Sequence, residues 1–221
     1  MKMLDVPRSG SQAATTASHN RNGQYTRSRR APVQPRTPAQ LNVRARQASN
    51  AAAWRTLTNT QREGWTSLGM MMTRTDALGQ TYTLTGFQAY CSVNNNLAQS
   101  GGTLLSDAPA LETPTGLSSI TVTLTGGVTP AFSVAFTPTP LPTGEKAIFR
   151  CSPQTSAGRT FNGDYRVITV TSAAATSPTN ILTAYQAKFG TPVTGNAIFV
   201  SGSITVGGFE SIPFNAKAVA T

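Results

Sequence analysis

One histidine, two cysteines and eight acidic residues are all that 221 positions offer of the groups that most often carry catalysis or hold a metal. A Ser-His-Asp or Cys-His site needs its base fixed within hydrogen-bond reach of the nucleophile. His19 lies among Ser, Asn and Gly, where nothing provides a rigid frame. The acids are scattered and form no close pair suited to glycoside hydrolysis. Asp164 follows Asn162-Gly163, a turn composition. Cys91 and Cys151 are too few for a disulfide framework and have no neighbouring Cys or His to complete a zinc site. They read as free thiols made in a reducing cytosol. No Gly-x4-Gly-Lys phosphate loop occurs, and Gly126-Gly127 and Gly207-Gly208 read as hairpin turns. No apolar run follows the charge of Met1–Arg8, so no secretory signal is expected. Nothing approaches the ~20 apolar residues of a membrane helix. These absences predict a protein that is not an enzyme, with no catalytic residue, no cofactor, no metal and no membrane contact.

Charge is sparse, at 12% of residues, and it is unevenly placed. The first 75 residues hold twelve basic side chains against Asp5 and Glu63, whereas residues 76–221 hold six of each sign. A basic arm beside a neutral body is the expected organisation. Within residues 1–36 the larger apolar residues are few and without period, and Gly10, Gly23, Pro32 and Pro35 interrupt any helix. Ordering backbone costs roughly 1–2 kcal/mol per residue, and this segment has little apolar surface to offset it. An extended arm that becomes ordered only along a partner is therefore expected. Arg21, Tyr25, Arg27, Arg29, Arg30 and Arg36 are its candidate partner-binding residues. The Arg fork suits acidic protein surfaces and carbonyl-lined grooves, and equally DNA phosphates, with Tyr25 able to stack on a base.

At residue 37 the pattern changes. Thr37-Pro38-Ala39-Gln40, Thr58-Asn59-Thr60-Gln61 and Thr85-Gly86-Phe87-Gln88 are three Thr-x-x-Gln helix starts. Leu41, Ala45, Ala48 and Ala52 follow the first at helical spacing. Three short helices are expected in a small adaptor over residues 37–99. Trp54, Trp65, Phe87 and Tyr90 would form its core; an aromatic one or two turns inside a capped helix more often fills a core than binds a ligand. Met70-Met71-Met72 is either an adaptable contact surface or a loose helix end. Residues 100–113 carry Gly101, Gly102 and Pro109 and read as a linker.

From residue 114 the period becomes two. Strands are expected at 118–124, 131–137, 146–151, 165–171, 196–206 and 212–219, with a crossing helix at 178–189. Six or seven strands over roughly the last 105 residues suit an immunoglobulin or fibronectin-type β-sandwich. The expected fold is thus mainly β: an extended N-terminal arm, a small helical segment and a C-terminal sandwich.

Several motifs carry a resemblance. They are Pro35-Arg36-Thr37-Pro38-Ala39-Gln40, Trp54-Arg55-Thr56-Leu57-Thr58 with Gln61-Arg62-Glu63-Gly64-Trp65, and Thr85-Gly86-Phe87-Gln88. A further match is Ala184–Gly190 followed by Gly195–Val200. Together they resemble a group of poorly characterised proteins from tailed-phage and prophage structural gene clusters, with a basic N-terminal arm and a fibronectin-like C-terminal domain. The resemblance implies a virion component assembled in the host cytoplasm. Its partners would be capsid, portal, neck or tail subunits in a multi-copy symmetric assembly. Head decoration, cement or head–neck connector is the leading expectation. A tail or fibre adhesin, or a minor capsid protein touching DNA through the arm, is the alternative. The resemblance carries over no catalytic residue.

Overall fold

The computed structural model describes residues 8–21, 23–30 and 34–221, so Met1–Pro7, Asn22 and residues 31–33, Pro32 among them, lie outside the described residues. The chain divides into two compact units, Met1–Arg44 and Ala45–Thr221.

The first unit corrects the expectation of an extended arm. β1 (Gly10–Gln12), β2 (Thr15–Asn20) and β3 (Gly23–Ser28) pair in that order as an antiparallel sheet. Local turns bring the strands together: Ala13 takes a positive φ of 49° between β1 and β2, and Gly23 sits at φ 110° where β2 meets β3. Thr, Ser and Tyr suit a pleated backbone, and the ladder satisfies main-chain groups that composition alone left unassigned. The sheet still lacks an apolar face. No described residue before Asn50 is buried.

α1 (Pro38–Thr56) runs across the boundary between the units and is followed by α2 (Asn59–Met71), β4 (Thr73–Thr75), β5 (Thr81–Thr83) and α3 (Gly86–Gln99). All three Thr-x-x-Gln starts form reciprocal caps. Thr37 and Gln40 exchange backbone-to-side-chain bonds of 3.3 Å in each direction, and Thr58–Gln61 and Thr85–Gln88 do the same. The core beneath them comprises Leu57, Trp65, Leu68, Ala89, Tyr90 and Val93, flanked by half-buried Trp54 and Phe87. The Trp65 indole donates to the Ser106 carbonyl at 2.8 Å. Gly86 allows close approach of α3 to α2, since a Cβ there would lie 2.6 Å from Thr66 Oγ1. One helical face differs from expectation. Leu41, Ala45, Ala48 and Ala52 are exposed, and Asn50, Ala53 and Trp54 turn inward instead. Amide pairing explains this: Asn50 Nδ2 donates to Asn95 Oδ1 at 3.0 Å, and Gln47 Nε2 to Cys91 Sγ at 3.4 Å.

Residues 100–113 also differ from a free linker. Asn94 both accepts from the Leu105 N–H at 2.8 Å and donates to the Leu105 carbonyl at 3.2 Å. Leu105 and Ala108 pack against the helical core. The segment is a strap across α2 and α3.

Beyond it come β6 (Ser119–Thr125), β7 (Ala131–Thr137), β8 (Lys146–Cys151), β9 (Thr155–Ser156), β10 (Arg166–Val170), β11 (Thr179–Asn180), α4 (Leu182–Phe189), β12 (Asn196–Val206), β13 (Phe209–Glu210) and β14 (Phe214–Val219). The described protein is mainly β, with several antiparallel sheets and four helices. One sheet runs β11-β7-β6; in the other β10, β8, β12 and β14 lie side by side, β14 pairing with Ala197–Gly202 of β12, while β9 and β13 pair at the two ends of β12. Alternation in β7 sends Phe132, Val134 and Phe136 inward. They share a core with Ala147, Phe149, Cys151, Ile198, Val200 and Ile204 of the facing sheet.

Phe209 joins this β region to the helices. The β12–β13 hairpin turns at Gly207-Gly208 and places Phe209 in the helical core beside Trp65, Tyr90 and Val93. Gly208 is required twice over. Its φ is +88°, and a Cβ would fall 2.7 Å from both Val93 Cγ1 and the Val93 carbonyl. Asn96 fixes the tip by donating to the Gly208 carbonyl at 2.9 Å, and Lys146 Nζ donates to the Ser100 carbonyl at 2.8 Å. Phe209→Ala should cost about 3–5 kcal/mol in urea unfolding. It should also separate the transitions seen by Trp fluorescence and by far-UV circular dichroism, because both tryptophans lie in the helical layer.

Both cysteines are buried free thiols. Burial pushes the Cys151 thiol up to about 12 and also raises Cys91, an effect that its Gln47 hydrogen bond partly offsets. A thiol raised in the folded state stabilises the fold below its unfolded pKa, and that contribution is lost as pH rises toward the folded value. Stability to urea should therefore fall from about pH 9 upward, by up to ~1.4 kcal/mol per pH unit for Cys151. A Cys151→Ala variant should show a shallower decline. A thiol reagent at neutral pH should label Cys151 only as fast as the protein unfolds.

Candidate interaction surfaces

The groups that could support chemistry are dispersed or structurally engaged. His19 is exposed on β2, opposite Gln24 of β3. Glu145 accepts the Thr115 N–H at 2.9 Å. Glu210 pairs with Arg150 at 2.6 Å and accepts from the Ser203 hydroxyl at 2.5 Å. Asp76 Oδ1 receives the Leu78 and Gln80 N–H groups, each at 2.8 Å, and shapes the β4–β5 turn. Asp164 N–H bonds to Asn162 Oδ1 at 3.0 Å in the turn that its sequence context predicts. Among the described residues no group of three His, Cys, Asp or Glu side chains is placed to hold a metal ion. No described helix is long and apolar enough to cross a membrane.

The four aromatics assigned to the adaptor core lie together. Tyr90 stands edge-on to Trp65 at 5.1 Å between ring centroids and tilted against Trp54 at 5.3 Å, and Trp54 meets Phe87 at 5.6 Å. Desolvation raises the Tyr90 phenol, whose oxygen has no hydrogen-bond partner among the described residues. The Arg62 guanidinium, 6.0 Å from the Trp54 ring centroid, donates to the Arg55 carbonyl at 2.9 Å. It closes the C-terminal end of α1 where backbone carbonyls lack helical partners. This cluster holds helices together.

The arm residues are only partly brought together. β2 and β3 pair Ser18 with Tyr25 and Thr16 with Arg27. Because side chains alternate along a strand, these four share one face. The Arg29 N–H donates to the Ala14 carbonyl at 2.7 Å, one residue beyond the Ser28–Thr15 pair that ends the ladder. Arg21 sits in the turn after β2, while exposed Arg30 and Arg36 lie outside the strands. β1 and β3 each pair with β2 alone among the described residues, so each leaves one edge open.

A second surface escaped the sequence reading. A cavity of about 730 Å³ lies between the end of α2, α3, the strap and the β12–β13 hairpin, lined in part by Met71, Arg74, Asn96, Leu111, Glu112 and Phe209. Its walls come from four segments far apart in the chain, and the Met70-Met71-Met72 run was its sole trace in the sequence. Met70 and Met71 are exposed beside it. Compared with protein-family models, curated proteins and solved structures, the chain shows no match.

Proposed function

We propose that this chain is a structural component of a tailed-phage particle, a head decoration, cement or head–neck connector protein. In this reading its N-terminal unit attaches it to neighbouring subunits. The carrying observation is that this unit forms a sheet with no buried residue, whereas the rest of the chain has its own cores. A small sheet gains independent stability from a hydrophobic face, and this one has none. The open edges of β1 and β3 offer main-chain donors and acceptors for strand addition on another subunit. Ordering on a partner gives a long, specific footprint, and many copies on a symmetric shell add avidity.

The C-terminal β region fits this role as an immunoglobulin or fibronectin-like sandwich. Its sheets would be β11-β7-β6 and β10-β8-β12-β14, seven antiparallel strands around one core. The motif resemblance to phage structural proteins points the same way.

Deleting residues 1–36 should leave a folded, soluble protein with an unchanged urea midpoint that no longer joins particles. Normal incorporation of the truncated chain would remove the anchoring role, and absence of the intact protein from purified particles would remove the virion role.

A further inference from the structure

We propose that the cavity beside Met71 is a peptide-docking groove, in which an extended segment of a partner protein adds as a third strand to the open edge of β4. The segment carries apolar side chains between an acidic and a basic residue. This goes beyond the assembly role, which uses the N-terminal unit and not this groove. Three observations carry it.

The first is the ribbon itself. β4 and β5 pair only with each other among the described residues, and every residue of both strands is exposed. A two-stranded hairpin is marginal in water, and a third strand packed on an apolar surface completes it. The Leu84 N–H donates to the Met72 carbonyl at 3.2 Å, and the Asp76 N–H donates to the Gln80 carbonyl at 2.9 Å. Alternation along an antiparallel ladder therefore turns the main-chain groups of Thr73 and Thr75 away from β5. No described residue bonds to them. Such a row of free donors and acceptors is what strand addition uses.

The second is what lies along that edge. Thr73 and Arg74 line the cavity and no residue of β5 does, so the cavity stands on the free side of β4. Its apolar lining combines exposed Met71, Leu111 and Ile212 with buried Phe209. A strand directs alternate side chains to one face. One laid on β4 thus meets main-chain partners along its backbone and apolar walls along that face. The unbranched Met71 thioether adapts to side chains of different shape.

The third is charge. Arg74 and Glu112 line the same cavity, and neither forms an ion pair with a described residue. They offer an occupant one partner of each sign. A second copy of β4 does not meet this requirement. Antiparallel pairing of Thr73 with Thr75 would set Arg74 against Arg74, and like charges directly opposite are destabilising. The occupant is therefore a different segment that carries both signs.

The test uses the full chain and two capped, fluorescently labelled peptides of about six residues. In both, Val and Thr alternate between a terminal Glu and a terminal Lys. They differ only in running from Glu to Lys or from Lys to Glu. Anisotropy should show one order bound about tenfold more tightly than the other. Arg74→Glu with Glu112→Arg should reverse that preference. Thr73→Pro removes an outward N–H and should weaken both peptides about tenfold. Met72 is already extended, at φ −87° and ψ 104°, as a residue before proline must be, and edge strands admit proline. Should that variant lose stability to urea, the charge exchange decides alone. Hydrogen exchange at the Thr73 and Thr75 amides should slow when peptide binds, with β1 and β3 unchanged. Failure of both peptides to bind, an unreversed preference, or protection of β1 or β3 instead would overturn the proposal. So would a dimer that protects Thr73 and Thr75 without peptide, since a second copy would then be the occupant. All these readouts come from the purified protein. Their failure leaves the virion role standing, and absence of the protein from particles leaves the groove standing.

Discussion

Ordering each residue of backbone costs about 1–2 kcal/mol, and among the described residues burial begins to offset that cost only from Asn50 onward. Everything after that point is organised around two apolar clusters. Phe209 belongs to the helical one, although it lies at the end of a hairpin that rises from the β region. That insertion, with the Lys146–Ser100 and Asn96–Gly208 hydrogen bonds, ties the helices to the strands. It explains why Gly208 must stand before Phe209. The tip has to pass within contact distance of Val93, and only a residue without Cβ fits. It also explains the strap. Residues 105–108 close the side of the helical core left open by α2 and α3, and Asn94 and the Trp65 indole hold them there.

Much of this order was legible where local chemistry and period agree. The three Thr-x-x-Gln starts needed nothing beyond their own sequence, because a capping box is satisfied within four residues. Strands β7, β8 and β12 were equally clear, since their inward Val, Ile and Phe residues alternate or run continuously between breakers. Failures came where partners distant in sequence decide the outcome. The inward face of α1 is chosen by amide pairing with α3 and not by its Leu and Ala residues. Phe209 stands behind two glycines and resembles the end of a turn, and nothing within ten residues hints that it enters another layer. The cavity beside it has the same cause.

The N-terminal sheet escaped the sequence reading for a different reason. Strands are recognised by apolar alternation, and β1, β2 and β3 have almost none to show. Their periodicity lies in charge and hydroxyls, with Tyr25, Arg27 and Arg29 on alternate positions. Alternation carried by Arg normally identifies a solvated face. No residue of these strands is buried, so burial does not explain the pattern.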